Sequence, residues 1–241
     1  MKKSVFDYIM TIFIILVCIP ILVVYGIITF VLLLVFPSIS YFLVVIFARV
    51  FLFMMFVFVK KRGVLSQDLL CLVAFNHQSF IDYALAVSAM GYKKKWVVVY
   101  GTNLHKYPIF KLFLKRIGIG VDRKDLNSKI EASAQIKKAL ANGYSVAIFP
   151  EGTRMRSYQM EKVLLKFQNG IFSAAFETGV PIVPIVLNKT LLYSRPDKPL
   201  PLSPRVITVV YSKPIPVGEK TRTELRDETH ETMKNILLNT S

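Results

Sequence analysis

Acidic residues and cysteine are the scarce components of this chain. Fifteen Asp and Glu stand against 31 Lys and Arg, a formal net charge of +16 over 241 residues. Residues 1–62 hold six Lys or Arg and one Asp, so +5 of that charge lies there and +11 on residues 63–241. A basic chain of this kind suits anionic lipid surfaces or phosphorylated ligands. Nucleic acid is the competing reading of charge alone. The basic residues are dispersed, however, and no RNA- or DNA-binding motif is present, so a nucleic-acid partner is set aside. Cysteine is limited to Cys18 and Cys71, both in apolar runs. Neither is placed as a disulfide partner or zinc ligand, and a reducing compartment fits. Also missing are the GxSxG elbow of a serine hydrolase and the HExxH pair of a zinc peptidase.

Charge is absent altogether from Tyr8 to Ala48, a run of 41 residues; Arg49 interrupts, and Val50 to Val59 is apolar again. Hydrophobic residues make up 54% of the chain and the mean hydropathy is +0.49, too apolar for an ordinary soluble domain. A membrane span needs roughly 20 apolar residues, so residues 1–62 can hold an N-terminal membrane anchor of two helices. Pro37-Ser38-Ile39-Ser40 is the natural turn between them. Lys2 and Lys3 precede the first segment, and Lys60, Lys61 and Arg62 follow the second. Positive residues at both ends place both on the cytoplasmic side, which predicts a helical hairpin or a half-buried monotopic anchor. Arg49 would be expensive at the bilayer centre and favours a shallow seat. A cleaved signal peptide fits poorly, because the run is too long and no small-x-small site follows it.

Residues 63–241 alternate apolar runs of strand length with helical patterns. Strands are predicted at Leu69 to Phe75, Trp96 to Tyr100, Ile119 to Val121, Tyr144 to Phe149, Val180 to Leu187 and Val206 to Tyr211. Helices are predicted near Ser79 to Met90, Pro108 to Ile117 and Asn169 to Thr178. One more opens at the capping box Ser128-Lys-Ile-Glu131 and closes at Gly143, and a last one is capped by Thr221-Arg-Thr-Glu224. This alternation predicts a single layered α/β domain with a largely parallel sheet.

His77 falls just after a buried strand and before a helix, where α/β folds place reactive groups. Asp82 follows five residues later. From a helix beginning after His77 it can reach back to one imidazole nitrogen, leaving the other to take a proton. A capping histidine beside an unrelated Asp explains the same spacing. Phe149-Pro150-Glu151-Gly152-Thr153-Arg154 follows another buried strand. Its turn exposes backbone N–H groups, and Arg154 adds a fork for phosphate or carboxylate; an ordinary turn with a solvated Arg is the equal alternative. Arg123 ends a short strand and could converge with Arg154 on one anion, or could pair with Asp122. Val180-Pro181-Ile182-Val183-Pro184 holds two prolines, which fit the lining of an apolar groove or, more commonly, a buried edge strand.

These four segments, in this order, resemble the glycerolipid acyltransferase family that includes 1-acylglycerol-3-phosphate acyltransferase. The resemblance covers roughly Leu69 to Leu187. Asn76, His77 and Asp82 match the family's NHxxxxD pattern, and FPEGTR is matched at all six positions. The resemblance implies His77 as general base and Asp82 as its orienting partner. It implies Asn76, Arg123, Glu151, Gly152, Thr153 and Arg154 around the acceptor's glycerophosphate. Val180, Pro181 and Pro184 would serve acyl-donor binding or the fold of the site. The reaction implied is acyl transfer from acyl-CoA or acyl carrier protein to the hydroxyl of lysophosphatidate at the cytoplasmic membrane face. It needs no metal or cofactor beyond the thioester co-substrate, and its partners are membrane lipids, a lysophospholipid and the donor. Thr102, Lys111 and Gln168 depart from the family's usual residues around the phosphate pocket, which leaves another lysophospholipid or lipid alcohol as an alternative acceptor. A non-catalytic lipid- or phosphate-binding membrane protein is the alternative of a different class.

Overall fold

The computed structural model describes residues 4–106, 114, 117–159 and 161–240. Short apolar runs become the strands of one seven-stranded sheet: β1 Val57–Arg62, β2 Leu72–Phe75, β3 Trp96–Gly101, β4 Gly118–Val121, β5 Ser145–Ile148, β6 Ile182–Asn188 and β7 Arg205–Tyr211. Their order is β1-β7-β6-β2-β5-β3-β4. All pairs are parallel except β6 with β7. The helices are α1 Val5–Val35, α2 Ser40–Met54, α3 Asp82–Met90, α4 Leu126–Ala141, α5 Gly170–Thr178, the single turn α6 Thr190–Tyr193 and α7 Arg222–Asn239. The helix expected over Pro108 to Ile117 lies outside the described residues, apart from Leu114 and Ile117, which are helical.

The innermost strand, β2, is buried at every position, so alternation is read from which core each residue joins rather than from polarity. Val73 and Phe75 join one core with α3 residues Leu85 and Met90. Leu72 and Ala74 join the other, with Ala132 and Ile136 of α4 and Phe172 of α5. The sheet is therefore sandwiched between two helical layers.

The N-terminal helices belong to the first of those layers. Along α1 the buried residues Thr11, Ile14, Cys18, Leu22, Gly26, Thr29 and Leu33 recur every three or four positions, a seam of helical period. Gly26 lies on this seam against the ring of Phe47 in α2. Ile14, Cys18, Leu22, Leu33, Val44, Val45 and Leu52 share one core with Phe75 and Trp96. The pair is also tied to the sheet domain near both ends. Leu202 N–H donates to Thr11 Oγ1 at 2.8 Å, and the Tyr41 hydroxyl donates to the Trp96 carbonyl at 2.9 Å. Both helices are long and apolar enough to cross a membrane. Their outward face, including Phe6, Ile9, Leu16, Val24, Val31 and Leu34, is exposed.

Two boundaries differ from expectation. The division at residue 62 falls at the end of a sheet strand, because Val57–Arg62 pairs along its whole length with β7, Val57 opposite Arg205 and Arg62 opposite Val210. The globular part thus begins before that division, and the helices ahead of it pack as one of its layers. Helix α4 opens at Leu126 rather than at Ser128. Asp125 caps it by accepting from Asn127 N–H at 3.0 Å, while the Ser128 hydroxyl accepts from Asp122 N–H at 2.9 Å. The Thr221–Glu224 capping box at the start of α7 forms as expected.

Strand β6 is internal to the sheet, not at its edge. Pro184 is tolerated there because the β6–β7 ladder starts one residue later, at Ile185 opposite Tyr211. Its carbonyl still accepts from Ser212 N–H at 3.0 Å. Only the missing N–H falls in the gap between that bond and the bridge from Ile182 to Ile215.

Candidate active site

From β2 the chain leaves to α3 on one face of the sheet, and from its neighbour β5 it leaves to α5 on the other. Divergence of adjacent strands opens a crevice beyond their carboxyl ends. His77 follows β2 into this crevice and Glu151 follows β5.

Helix α3 starts at Asp82 itself, so the chain from Asn76 to Ile81 is a loop and not the first helical turns. The Asp82 carboxylate gathers that loop. Its Oδ2 accepts from Gln78 N–H at 2.6 Å and Ser79 N–H at 2.7 Å and meets His77 Nδ1 at 2.9 Å. Asp82 is fully buried, and Oδ1 has no partner among the described residues. A carboxylate on Nδ1 fixes the proton there and leaves Nε2 with its lone pair. Nε2 has no hydrogen bond among the described residues.

The ring is held in place by aromatic neighbours. Phe149 lies 4.4 Å from it, centroid to centroid, and Tyr83 meets it edge-on at 5.4 Å. Burial lowers the His77 pKa below the ordinary 6.5. The Asp82 bond opposes that shift, and the positive charges of Arg154 and Arg123 reinforce it. At neutral pH the imidazole is therefore uncharged, the form that accepts a proton.

Glu151 organises the loops. Its Oε1 accepts from His77 N–H at 2.6 Å and its Oε2 from Leu165 N–H at 3.0 Å. The Met155 N–H in turn donates to the His77 carbonyl at 3.1 Å. Burial pushes the Glu151 pKa up to about 8, against the pull of the two amide donors. Both oxygens thus face the loop backbone rather than a substrate. Asn76, expected beside the acceptor, is likewise turned inward. Its Oδ1 accepts from Leu187 N–H at 2.7 Å and its Nδ2 donates to the Leu187 carbonyl at 3.1 Å. A side-chain amide used in this way extends the β2–β6 pairing by one rung.

Two of the remaining groups, Arg154 and Arg123, act electrostatically on His77. Gly152 takes φ +69°, the left-handed turn that favours glycine, and presents Thr153 and Arg154 beyond it. The amides of Thr153 and Arg154 make no hydrogen bond among the described residues, so this turn offers free N–H groups next to a cation. Arg123 comes from the far side, after β4. A Cβ on Gly101 would fall 3.7 Å from its guanidinium, so the group lies against bare backbone at the end of β3. Asp122 caps its own turn by accepting from Lys124 N–H at 2.9 Å, and neither Arg123 nor Arg154 has a carboxylate partner among the described residues. Both cations are close enough to His77 and Tyr83 to lower their pKa values, though burial still carries Tyr83 to about 12.

Val180 and Pro181 are not brought to this site. They precede β6, whose first residue pairs with the first residue of β2, so they lie at the edge of the sheet opposite His77. Pro181 instead starts the ladder, its carbonyl accepting from Leu72 N–H at 3.0 Å. Pro184 sits two rungs on, within the sheet. The contacts of Tyr83 and Phe149 with His77 are not legible in the sequence, because an aromatic after an acidic helix start and another at a strand end carry no mark of that role.

The family model of the acyltransferases matches residues 57–188, more than half of the chain, and the chain belongs to that family. Among its relatives is a chloroplastic 1-acyl-sn-glycerol-3-phosphate acyltransferase of Brassica napus, 32% identical over 127 residues that make up 52% of this chain and 35% of that protein. A 1-acyl-sn-glycerol-3-phosphate acyltransferase of Cocos nucifera is 32% identical over 148 residues, 58% of this chain and 44% of that protein. The chain therefore spans less than half the length of these relatives. The crystal structure of the 1-acyl-sn-glycerophosphate acyltransferase PlsC of Thermotoga maritima has the same fold. Its TM-score is 0.79 at 20% identity, covering 97% of this chain and 95% of that one.

Proposed function

We propose that this chain is a 1-acylglycerol-3-phosphate O-acyltransferase, moving a fatty acyl group from a CoA or acyl-carrier-protein thioester to the free hydroxyl of lysophosphatidate. The observation that carries the reading is the His77 Nδ1–Asp82 Oδ2 contact of 2.9 Å, with Nε2 free of hydrogen bonds and two nearby arginines without a carboxylate partner among the described residues. Nε2 takes the proton of the acceptor hydroxyl as its oxygen attacks the thioester carbonyl. A C–O bond forms, and the carbonyl oxygen carries the negative charge of the tetrahedral intermediate. The free amides of Thr153 and Arg154 are the donors available to that oxyanion. Collapse breaks the C–S bond, and the imidazolium returns its proton to the leaving thiolate. Arg123 and Arg154 hold the acceptor's phosphate. The relatives' names support lysophosphatidate as acceptor, and the assay that tests it offers the purified protein a panel of lysolipids with acyl-CoA and acyl carrier protein donors, read by mass spectrometry. Product from another lysolipid, with none from lysophosphatidate, would overturn the acceptor.

Each arginine, replaced by alanine, should raise the KM for lysophosphatidate by about tenfold to a hundredfold, since a charge-assisted hydrogen bond contributes about 1.5–3 kcal/mol. The KM for the donor should change little. An unaltered acceptor KM in both Arg123→Ala and Arg154→Ala would remove the phosphate from this end of the crevice.

The substrate is a lipid, and the outward face of α1 and α2 is the proposed means of reaching it. A straight helix of 31 residues is about 46 Å long, more than the roughly 30 Å of a bilayer core. The pair is tied to the sheet domain near both ends. These features support helices lying in one leaflet rather than a hairpin reaching across. Lysines at exposed Leu16, Val24 and Leu34 together should move the protein from the membrane fraction to the supernatant, as each is disfavoured by about 2.5–3.5 kcal/mol in hydrocarbon. Retention in the pellet would place the membrane contact elsewhere.

A further inference from the structure

A second concave site lies behind the FPEGTR turn. It is a cavity of about 330 Å³ lined by Lys162, Lys166, Phe167, Arg226, Asp227 and His230. The lining holds three permanent cations and one carboxylate, a balance of two positive charges. Asp227 is already engaged by Arg226, with Nε to Oδ1 at 2.8 Å. Arg226 is fixed further by Nη1 donating to Asn169 Oδ1 at 3.0 Å. Lys162 and Lys166 are exposed, and their ammonium groups make no hydrogen bond or ion pair among the described residues. The floor is the buried ring of Phe167, on which His230 stands edge-on at 4.8 Å.

The cavity is wired to the reaction centre without being part of it. Leu165, beside Lys166, donates its N–H to Glu151 Oε2 at 3.0 Å, and Glu151 accepts the N–H of His77 at 2.6 Å. Gln168 N–H donates to the Pro150 carbonyl at 2.7 Å. Because β5 and β6 both run parallel to β2, the start of α5, which links them, is at the same sheet edge as His77. The cavity wall from Lys162 to Asn169 leads directly into that start. Arg123 stands on the opposite flank, beyond β3 at the end of β4. His77 thus lies between two cationic places, of which the Arg123 side accounts for the acceptor's phosphate.

We propose that the Lys162–Lys166–Arg226–His230 cavity binds the phosphates of the nucleotide end of a CoA thioester, so that donor and acceptor enter from opposite flanks of His77. The proposal rests on the acyl-transfer reading for its donor. It favours a nucleotide over a lipid headgroup because the cavity is larger than one phosphate group and adds an aromatic floor to its cations.

The test uses the full-length protein in detergent and the charge-reversal pair Lys162→Glu with Lys166→Glu, two exposed side chains outside the core. Wild type should bind 3′,5′-ADP with no acceptor present, measured by calorimetry, and the double variant should bind it at least about tenfold more weakly. The KM for acyl-CoA should rise by a similar factor, with kcat and the KM for lysophosphatidate unchanged. Lys162→Arg with Lys166→Arg should restore both. No 3′,5′-ADP binding by wild type, or binding that the reversal leaves intact, overturns the proposal. So does binding of anionic lipid vesicles in place of 3′,5′-ADP, or a reversal felt only with acyl carrier protein as donor. If wild type turned over no lysolipid, the acyl-transfer reading would fall, while charge-dependent 3′,5′-ADP binding would still support the nucleotide site.

Discussion

Alanine at His77 should reduce kcat for acyl transfer by about 10²–10⁴-fold, the range a positioned general base contributes, and should leave the fold in place. The imidazole lies at the crevice wall rather than in the centre of either core, and the backbone bonds of His77, to Glu151 and from Met155, do not need its side chain. Circular dichroism and turnover measured on the same preparation separate the two effects. Substantial residual turnover would remove the base from this position. The wild-type pH profile gives a second readout. Burial and two nearby arginines lower the His77 pKa below 6.5, so the uncharged, proton-accepting form persists as pH falls past that value. The acid limb of kcat/KM for the free enzyme should therefore lie below 6.5, and an acid limb well above it would contradict a buried, neutral imidazole.

Asparagine at Asp82 should be nearly as damaging to catalysis and much gentler to the fold. The three contacts on this side chain all converge on Oδ2, whereas Oδ1 has none among the described residues. An amide can keep its oxygen where Oδ2 stands and put its NH₂ in the unoccupied direction. The loop stays gathered, but a neutral group no longer balances the imidazolium formed during transfer. A drop in kcat of about 10²–10⁴-fold is expected, since the equivalent acid-to-amide change in a serine protease triad costs about 10⁴. Asp82→Ala, by contrast, removes the acceptor from two buried amides and should destabilise the protein by about 2–6 kcal/mol, at about 1–3 kcal/mol for each donor left unsatisfied. Thermal melting of the two variants compares them directly. Equal destabilisation would mean that the charge of Asp82, not its acceptor geometry, holds the loop together.

What the sequence made legible was local in character. The Thr221–Glu224 box spans four positions and formed as expected, and each buried strand appeared within a few residues of its apolar run. The pairing of His77 with Asp82 was also within reach, because only the loop between them separates the two. The roles of Asn76 and Glu151 were not legible. The backbone partner of Asn76 is 111 residues away and that of Glu151 at His77 is 74 away, so nothing near either residue marks it as structural. Strand β1 was hidden for a related reason. Its apolar start continues the helical run of α2, and its pairing with β7 joins segments nearly 150 positions apart. For Val180 and Pro181 the motif was visible, but its distance from His77 depended on strand direction, which only the register of β2 with β6 supplies.

The hydrogen bonds of Thr11 and Tyr41 to the sheet domain bear on how a water-soluble form could be made. Cutting the chain ahead of β1 would strip Tyr41 from Trp96 and remove the helices' share of the core that also holds Phe75 and Ile207, and the remainder would be expected to aggregate. Solubility has instead to be designed on the outward stripe alone, leaving the inward seam from Ile14 to Leu33 untouched. In folding terms the apolar N-terminal helices and the sheet segment are not separable modules, and purification has to treat them as a single piece.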